Sequence, residues 1–250
     1  MDSDNKMELK KVFLVLADIS GYTRFIRWHK TSLLHAERII GELLESVIEE
    51  SDHPLILHEL EGDAVTFYAE SDGSPERARD ILQQVQRFIT SFRARESELV
   101  SDCSICFCEA CRNVGKLKIK AILHHGEAAI QKIRHFNKVA GEDVILAHRL
   151  LKNSIEKDEY LLLTGEFHRL SGDVEGMVSE QRKEECEGFG TVDVNVYFLP
   201  EQAAESPVLK RTIWEKLQVF AKLERHLIQR LLGKPSKQFR NLKEAGKEAA

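Results

Sequence analysis

The sequence predicts a ferredoxin-like α+β fold, a mixed sheet with flanking helices, followed by a separate C-terminal helix. Three observations predict it. Residues 11–19 are a nearly continuous apolar run, as suits a strand buried on both faces. Residues 55–69 read as a hairpin turning at Glu61-Gly62-Asp63. Helical stripes alternate with short strand-like segments as far as residue 200, in the order strand, helix, hairpin, helix, strand pair, helix, strands.

The elements follow in chain order. Gly21-Tyr22-Thr23 turns the chain after the first strand. Over residues 31–50, Leu33, Leu34, Ile39, Ile40, Leu43, Leu44, Val47 and Ile48 form one helical stripe, which Pro54 closes. Asp72-Gly73-Ser74-Pro75 breaks the hairpin pattern, and Pro75 suits the first turn of a helix running to about Leu99. Residues 117–124 alternate as a strand. Gly126 reads as an interruption, with 127–133 as the next strand. Gly141 precedes a helix over about 142–153, and strands follow at 159–163, 176–182 and 191–199. Ser206-Pro207 opens an amphipathic helix over 206–233, and 234–250 is a polar tail. The division expected is a domain over 8–200 with a cysteine-rich insertion at 100–114, then the helix and the tail.

Composition narrows the function. The chain has 250 residues, 42% apolar and 31% charged, with a net charge of −5. The charge gives no support to nucleic-acid binding. No apolar run approaches the ~20 residues of a membrane helix, and the polar N-terminus lacks a secretory core. These features lead us to expect a cytoplasmic protein.

Two stretches carry the chemistry. Phe13 through Thr23 and Leu60 through Val65 each place one aspartate, Asp18 and Asp63, at the edge of an apolar strand. Two carboxylates on neighbouring strands make a site for hard divalent cations of the kind that accompany phosphates. A strand ending in Asp-Ile-Ser-Gly and opening a helix also sets a carboxylate beside free N–H donors. Each residue has a plainer reading, Asp18 as a helix cap and Asp63 as the acid of a Gly-Asp turn.

Four segments, in order, resemble the catalytic domain of class III nucleotidyl cyclases: Asp18-Ile19-Ser20-Gly21-Tyr22-Thr23, Glu61-Gly62-Asp63, Ile122-Leu123-His124-His125-Gly126-Glu127, and Gly141-Glu142-Asp143-Val144 through Ala147-His148-Arg149. Within that superfamily the chain resembles an uncharacterised bacterial branch, the DUF2652 type, whose members similarly carry a short cysteine cluster before the later strand. The resemblance implies two cations, Mg²⁺ or Mn²⁺, held by Asp18, Asp63 and the carbonyl of Ile19. It implies phosphates cradled at Gly21, Tyr22 and Thr23, and a transition-state arginine at Arg149. It also implies a site completed between two chains, in a homodimer or with a cyclase-like partner.

The pattern breaks in places. The family's asparagine, four residues before the arginine, is Ile145 here, which cannot orient a ribose. The family's late lysine, near a Lys-Gly-Lys-Gly stretch, faces Glu187-Gly188-Phe189-Gly190, with Lys183 in doubtful register. The base-reading positions hold Glu59 and Lys138. A glutamate can accept from guanine N1–H and N2–H while a lysine donates to O6. Alternatively the two pair with each other and fill the pocket. Arg149 offers phosphate a planar fork, or pairs with Asp143 or Glu142 on its own helix.

Cys103, Cys106, Cys108 and Cys111 have the spacing C-x2-C-x-C-x2-C, and Cys186 is the fifth cysteine. An odd count argues against a disulfide framework, and the clustering argues for a thiolate-bound metal, zinc first, or for redox sensing. His124 and His125, adjacent on a strand, must point to opposite faces. His29 and His35 read as helix-surface residues. The expected function is a degenerate, regulatory domain binding divalent metal and a purine nucleoside triphosphate. The alternatives are an active purine nucleotide cyclase and a zinc-stapled interaction module with no nucleotide.

Overall fold

A computed structural model describes residues 7–28, 33–102, 108–133 and 136–200. The expected C-terminal helix and tail lie outside the described residues, as do His29, Cys103 and Cys106. The elements are β1 (Met7–Ser20), α1 (Tyr22–Trp28), α2 (Leu33–Glu49), β2 (Ile56–Glu61), β3 (Ala64–Glu70), α3 (Pro75–Asp102), α4 (Glu109–Arg112), β4 (Lys118–Ile133), β5 (Phe136–Ala140), α5 (Glu142–Leu150), β6 (Tyr160–Thr164), α6 (Gly165–Ser171), β7 (Ser179–Cys186) and β8 (Gly190–Phe198).

The sheet runs β2-β3-β1-β4-β6-β8-β7, with β5 also beside β4. Only the β4–β6 pairing is parallel. The apolar run of β1 explains its central place. Antiparallel neighbours flank it on both edges, and residues 12–17 are buried on both faces. Phe13, Val15, Ala17 and Ile19 face a core built with Leu43 and Val47 of α2, Phe88 and Phe92 of α3, and Phe167 of α6. Val12, Leu14 and Leu16 face the other way, toward Ile122, Leu162, Val196 and the α5 residues Ala147 and Leu150. Asp18 continues this second row, on the face that α5 covers.

The break expected at Gly126 is absent. β4 continues through it to Ile133, and the partner strand is β5. β5 pairs with Ala129–Ile133 of β4, and β6 pairs with Lys120–Leu123. The stretch between them receives Asp143 at the start of α5. Its carboxylate accepts from the Glu127 N–H at 2.6 Å and contacts His124 Nε2 at 3.1 Å. A Cβ on residue 126 would lie 2.2 Å from Asp143 Oδ2. The glycine therefore marks close approach of a helix start, not the end of a strand.

On the multi-helix face, Glu96 of α3 is buried and accepts a hydrogen bond from Lys118 Nζ at 2.8 Å. Burial pushes the Glu96 carboxyl up, while Lys118 pulls it back. Removing the cation strands a buried charge, so Lys118→Met should cost about 2–3 kcal/mol at pH 7, below the full penalty because the lysine is partly solvated. A carboxyl with a raised folded-state pKa loses stability as pH rises. The deficit should therefore shrink on acidification toward pH 4, as read by urea unfolding at the two pH values.

Candidate functional site

Local backbone chemistry brings Asp18 and Asp63 together. Asp18 stands near the end of β1, opposite Ala64 on β3 and Lys120 on β4. Asp63 sits in the two-residue turn between β2 and β3, where Gly62 takes φ 59°. The Ile19 N–H donates to the Asp63 carbonyl at 3.1 Å, pinning the turn against the end of β1. The two carboxyls are close enough for the charge of Asp18 to act on Asp63.

Asp63 is pushed up to about 7, first by burial and then by the negative charge of Asp18. Its backbone hydrogen bond and Lys120 oppose the shift. Lys120 Nζ lies 3.0 Å from Asp18 Oδ2 and also donates to the Leu151 carbonyl at 2.9 Å, just beyond α5. Two carboxylates thus share one ammonium. With both acids ionised the group carries one uncompensated negative charge, a suitable donor set for a hard cation. The signal for Lys120 in the sequence is its place between Ile119 and Ala121 near the start of the β4 apolar stretch.

The segment Gly21-Tyr22-Thr23 adjoins this pair. Gly21 takes φ 90°, and its carbonyl accepts from the Phe25 N–H at 2.9 Å, which starts α1 at Tyr22. First-turn N–H groups have no acceptor within their helix. Tyr22 packs near the Asp63 turn, and its phenol is pushed up by burial, then by Glu37 and Asp63.

The other expected site residues lie apart from the acid pair. Glu59 and Lys138 are both exposed, on β2 and β5. Among the described residues no ion pair joins them. Between them sits a cluster unforeseen in the sequence. A bulge in β2 falls at His58, whose ring stands edge-on to Tyr68 at 6.0 Å, and Asn137 donates to the Tyr68 hydroxyl at 3.1 Å. Burial holds His58 below the usual imidazole range. Arg149 pairs with neither Asp143 nor Glu142. Its Nη1 lies 2.7 Å from Glu187 Oε2, in the turn between β7 and β8. Ile145, at the asparagine position, is 53% exposed.

The two strand histidines do face opposite ways. His124 is buried between Thr164 Oγ1, at 2.9 Å, and Asp143. His125 contacts Ser71 Oγ at 2.9 Å and packs on Phe13. His35 corrects its reading as a surface residue: it is half-buried, with Nδ1 3.5 Å from Cys108 Sγ. His35, Cys108 and Cys111 present ligand atoms all within 4.8 Å of one another.

Comparison with known proteins places these features. The family model described as "Protein of unknown function (DUF2652)" matches residues 40–160. An uncharacterised protein of Mycobacterium tuberculosis, Rv2561/Rv2562, is 30% identical over 194 residues, covering 78% of this chain and 89% of that protein. Among solved structures, the adenylyl cyclase CyaB of Pseudomonas aeruginosa superposes with a TM-score of 0.62 at 15% identity, covering 79% of this chain and 98% of its own. The guanylyl cyclase Cya2 gives 0.54 at 14% identity, covering 79% and 96%. A class III adenylyl cyclase-like ATP-binding protein from P. aeruginosa gives 0.52 at 13%, covering 66% of this chain and 35% of its own. No helix among the described residues is long and apolar enough to cross a membrane. The chain belongs to the DUF2652 family and has the fold of the class III nucleotidyl cyclase catalytic domains.

Proposed function

We propose that this protein is a cyclase-like regulatory domain that binds a divalent cation and a purine nucleoside triphosphate, with little or no cyclase activity. The observation that carries this reading is the acid pair Asp18–Asp63, held together beside the start of α1 by the Ile19 N–H to Asp63 carbonyl hydrogen bond. A cation held by the two carboxylates and the Ile19 carbonyl relieves their repulsion. Bound there, Mg²⁺ or Mn²⁺ would neutralise polyphosphate charge and acidify a ribose hydroxyl. Gly21, Tyr22 and Thr23 would receive the phosphates. Glu59 and Lys138, exposed and not paired with each other, suit guanine, with the glutamate accepting and the lysine donating.

Weak catalysis follows from what surrounds the pair. The asparagine position holds Ile145, and the late-lysine stretch is Glu187-Gly188-Phe189-Gly190, which has no lysine. Removal of one oriented donor typically costs ~10²–10³ in rate, and two positions are compromised here. The P. aeruginosa neighbour described as ATP-binding offers a precedent for nucleotide binding on this fold. The working unit in this reading is a homodimer, or a heterodimer with a cyclase-like chain. The cysteine run, of which Cys108 and Cys111 are among the described residues, serves a separate zinc centre.

Thermal shift with ATP and GTP, each with and without Mn²⁺, tests the proposal. GTP with Mn²⁺ should stabilise most, by about 2.7 kcal/mol at a hundredfold excess over Kd. Asp18→Ala with Asp63→Ala should abolish the response. Absence of any metal-dependent nucleotide shift overturns the reading in favour of an interaction module with an empty cleft. Rapid formation of cyclic product overturns the degenerate assignment in favour of a working cyclase.

A further inference from the structure

The geometry points to His35 as a ligand of a soft-metal site that it forms with Cys108 and Cys111, clamping α2 to α4. The inference deepens the zinc reading of the cysteine run and rests on it. It adds a ligand from a helix more than seventy residues upstream in sequence.

The distances suit a metal. With Zn–S near 2.3 Å and Zn–N near 2.0–2.1 Å, a tetrahedral ion spaces its nitrogen and sulfur ligands by about 3.6 Å and its two sulfurs by about 3.8 Å. His35 Nδ1 and Cys108 Sγ stand 3.5 Å apart, and all three donor atoms fit within 4.8 Å. One pair already stands at ligand spacing, and the third donor needs to close by no more than about 1 Å to meet an ion.

The local backbone brings the two cysteines together. The Cys111 N–H donates to Cys108 Sγ at 3.4 Å. Cys108 takes an extended conformation as the N-cap of α4, so two residues of helix carry Cys111 back onto the same point. The floor beneath is rigid: Ala110 and Val114 are fully buried and Cys111 nearly so. Two sulfurs and one imidazole select zinc over magnesium. Binding Zn²⁺ forms two Zn–S bonds and one Zn–N bond and releases the two thiol protons to solvent. Three protein ligands leave one tetrahedral corner for water or another donor.

Metal analysis of the full-length protein, purified without chelator, tests the site. The wild type should retain about one zinc per chain. His35→Ala should weaken affinity at least about 100-fold in competition with a chromophoric chelator. With Co²⁺ in place of zinc, His35→Ala should alter the visible d–d bands while the near-ultraviolet thiolate-to-cobalt band persists; Cys108→Ser and Cys111→Ser should each weaken that band. His35→Cys should restore zinc retention, which separates ligation from a general effect on folding. Retention of metal and spectrum by His35→Ala, with loss in Cys103→Ser plus Cys106→Ser, overturns the role of His35 and leaves a four-cysteine centre. A wild type that holds neither zinc nor cobalt, or that carries a Cys108–Cys111 disulfide instead, overturns the metal reading as a whole.

Discussion

Asp63→Asn should raise the melting temperature of the metal-free protein at pH 8 by about 3 °C and leave it nearly unchanged at pH 4. The folded protein holds the Asp63 proton up to about pH 7, whereas the ordinary value is 3.8. The folded state therefore binds more protons than the unfolded chain between those values. Its associated stability is complete below about pH 4 and is lost as the pH climbs through 7. At pH 8 two carboxylates face one ammonium, and an uncharged amide relieves the repulsion. Asp63 is only half-buried, so solvent screening reduces the gain to about 1 kcal/mol, which sets the expected shift in a chain of this size. The same substitution should remove the Mn²⁺-dependent response. Differential scanning calorimetry at the two pH values, with and without Mn²⁺, reads both effects. A variant less stable than wild type at pH 8 contradicts the acid pair as the source of local repulsion. A stabilising loss of function is the usual sign of a site whose charges are kept close for a ligand.

The parts of the fold visible in the sequence were those governed by local periodicity. The apolar run of β1, the stripe of α2 and the Pro75 start of α3 each follow from short-range patterns, and each element appears where expected. Asp18 and Asp63 are legible because one lies near the end of the apolar β1 and the other immediately before the apolar β3. Their meeting follows from antiparallel pairing across a two-residue turn. What escaped depended on contacts between distant segments. Gly126 looks like a break because the residue filling the space, Asp143, arrives seventeen positions later from another element. His35 looks like a surface residue because its partners, Cys108 and Cys111, lie beyond an intervening hairpin and a long helix. The Arg149 partner, Glu187, sits in a turn whose approach to α5 no periodicity encodes. The short helices α1 and α6 span only seven residues each, too few for a helical stripe to declare itself.

Gly126→Ala should destabilise the protein by about 3 kcal/mol, lowering the melting temperature by roughly 6–12 °C. The new methyl would meet Asp143 Oδ2 at 2.2 Å, Cγ at 2.3 Å and Cβ at 2.7 Å. Rotating the carboxylate away would break its hydrogen bonds to the Glu127 N–H and to buried His124. His124 would keep Thr164 but lose its only other polar contact among those shown here. Backbone movement would instead shift the start of α5, the helix that carries Ile145 and Arg149. Both responses are costly, the first through unsatisfied buried groups and the second through repacking of Val144 and Ala147 against β4. In an Asp143→Ala background only the 2.7 Å Cβ contact remains, so Gly126→Ala should cost at least about 1 kcal/mol less there. A double-mutant cycle by urea unfolding measures that coupling. Strict additivity would mean that the methyl is accommodated without Asp143, and that something other than this carboxylate fixes α5 on the sheet. A large coupling instead makes Asp143 the device that sets the position of α5 on the sheet, and with it the place of Ile145 and Arg149.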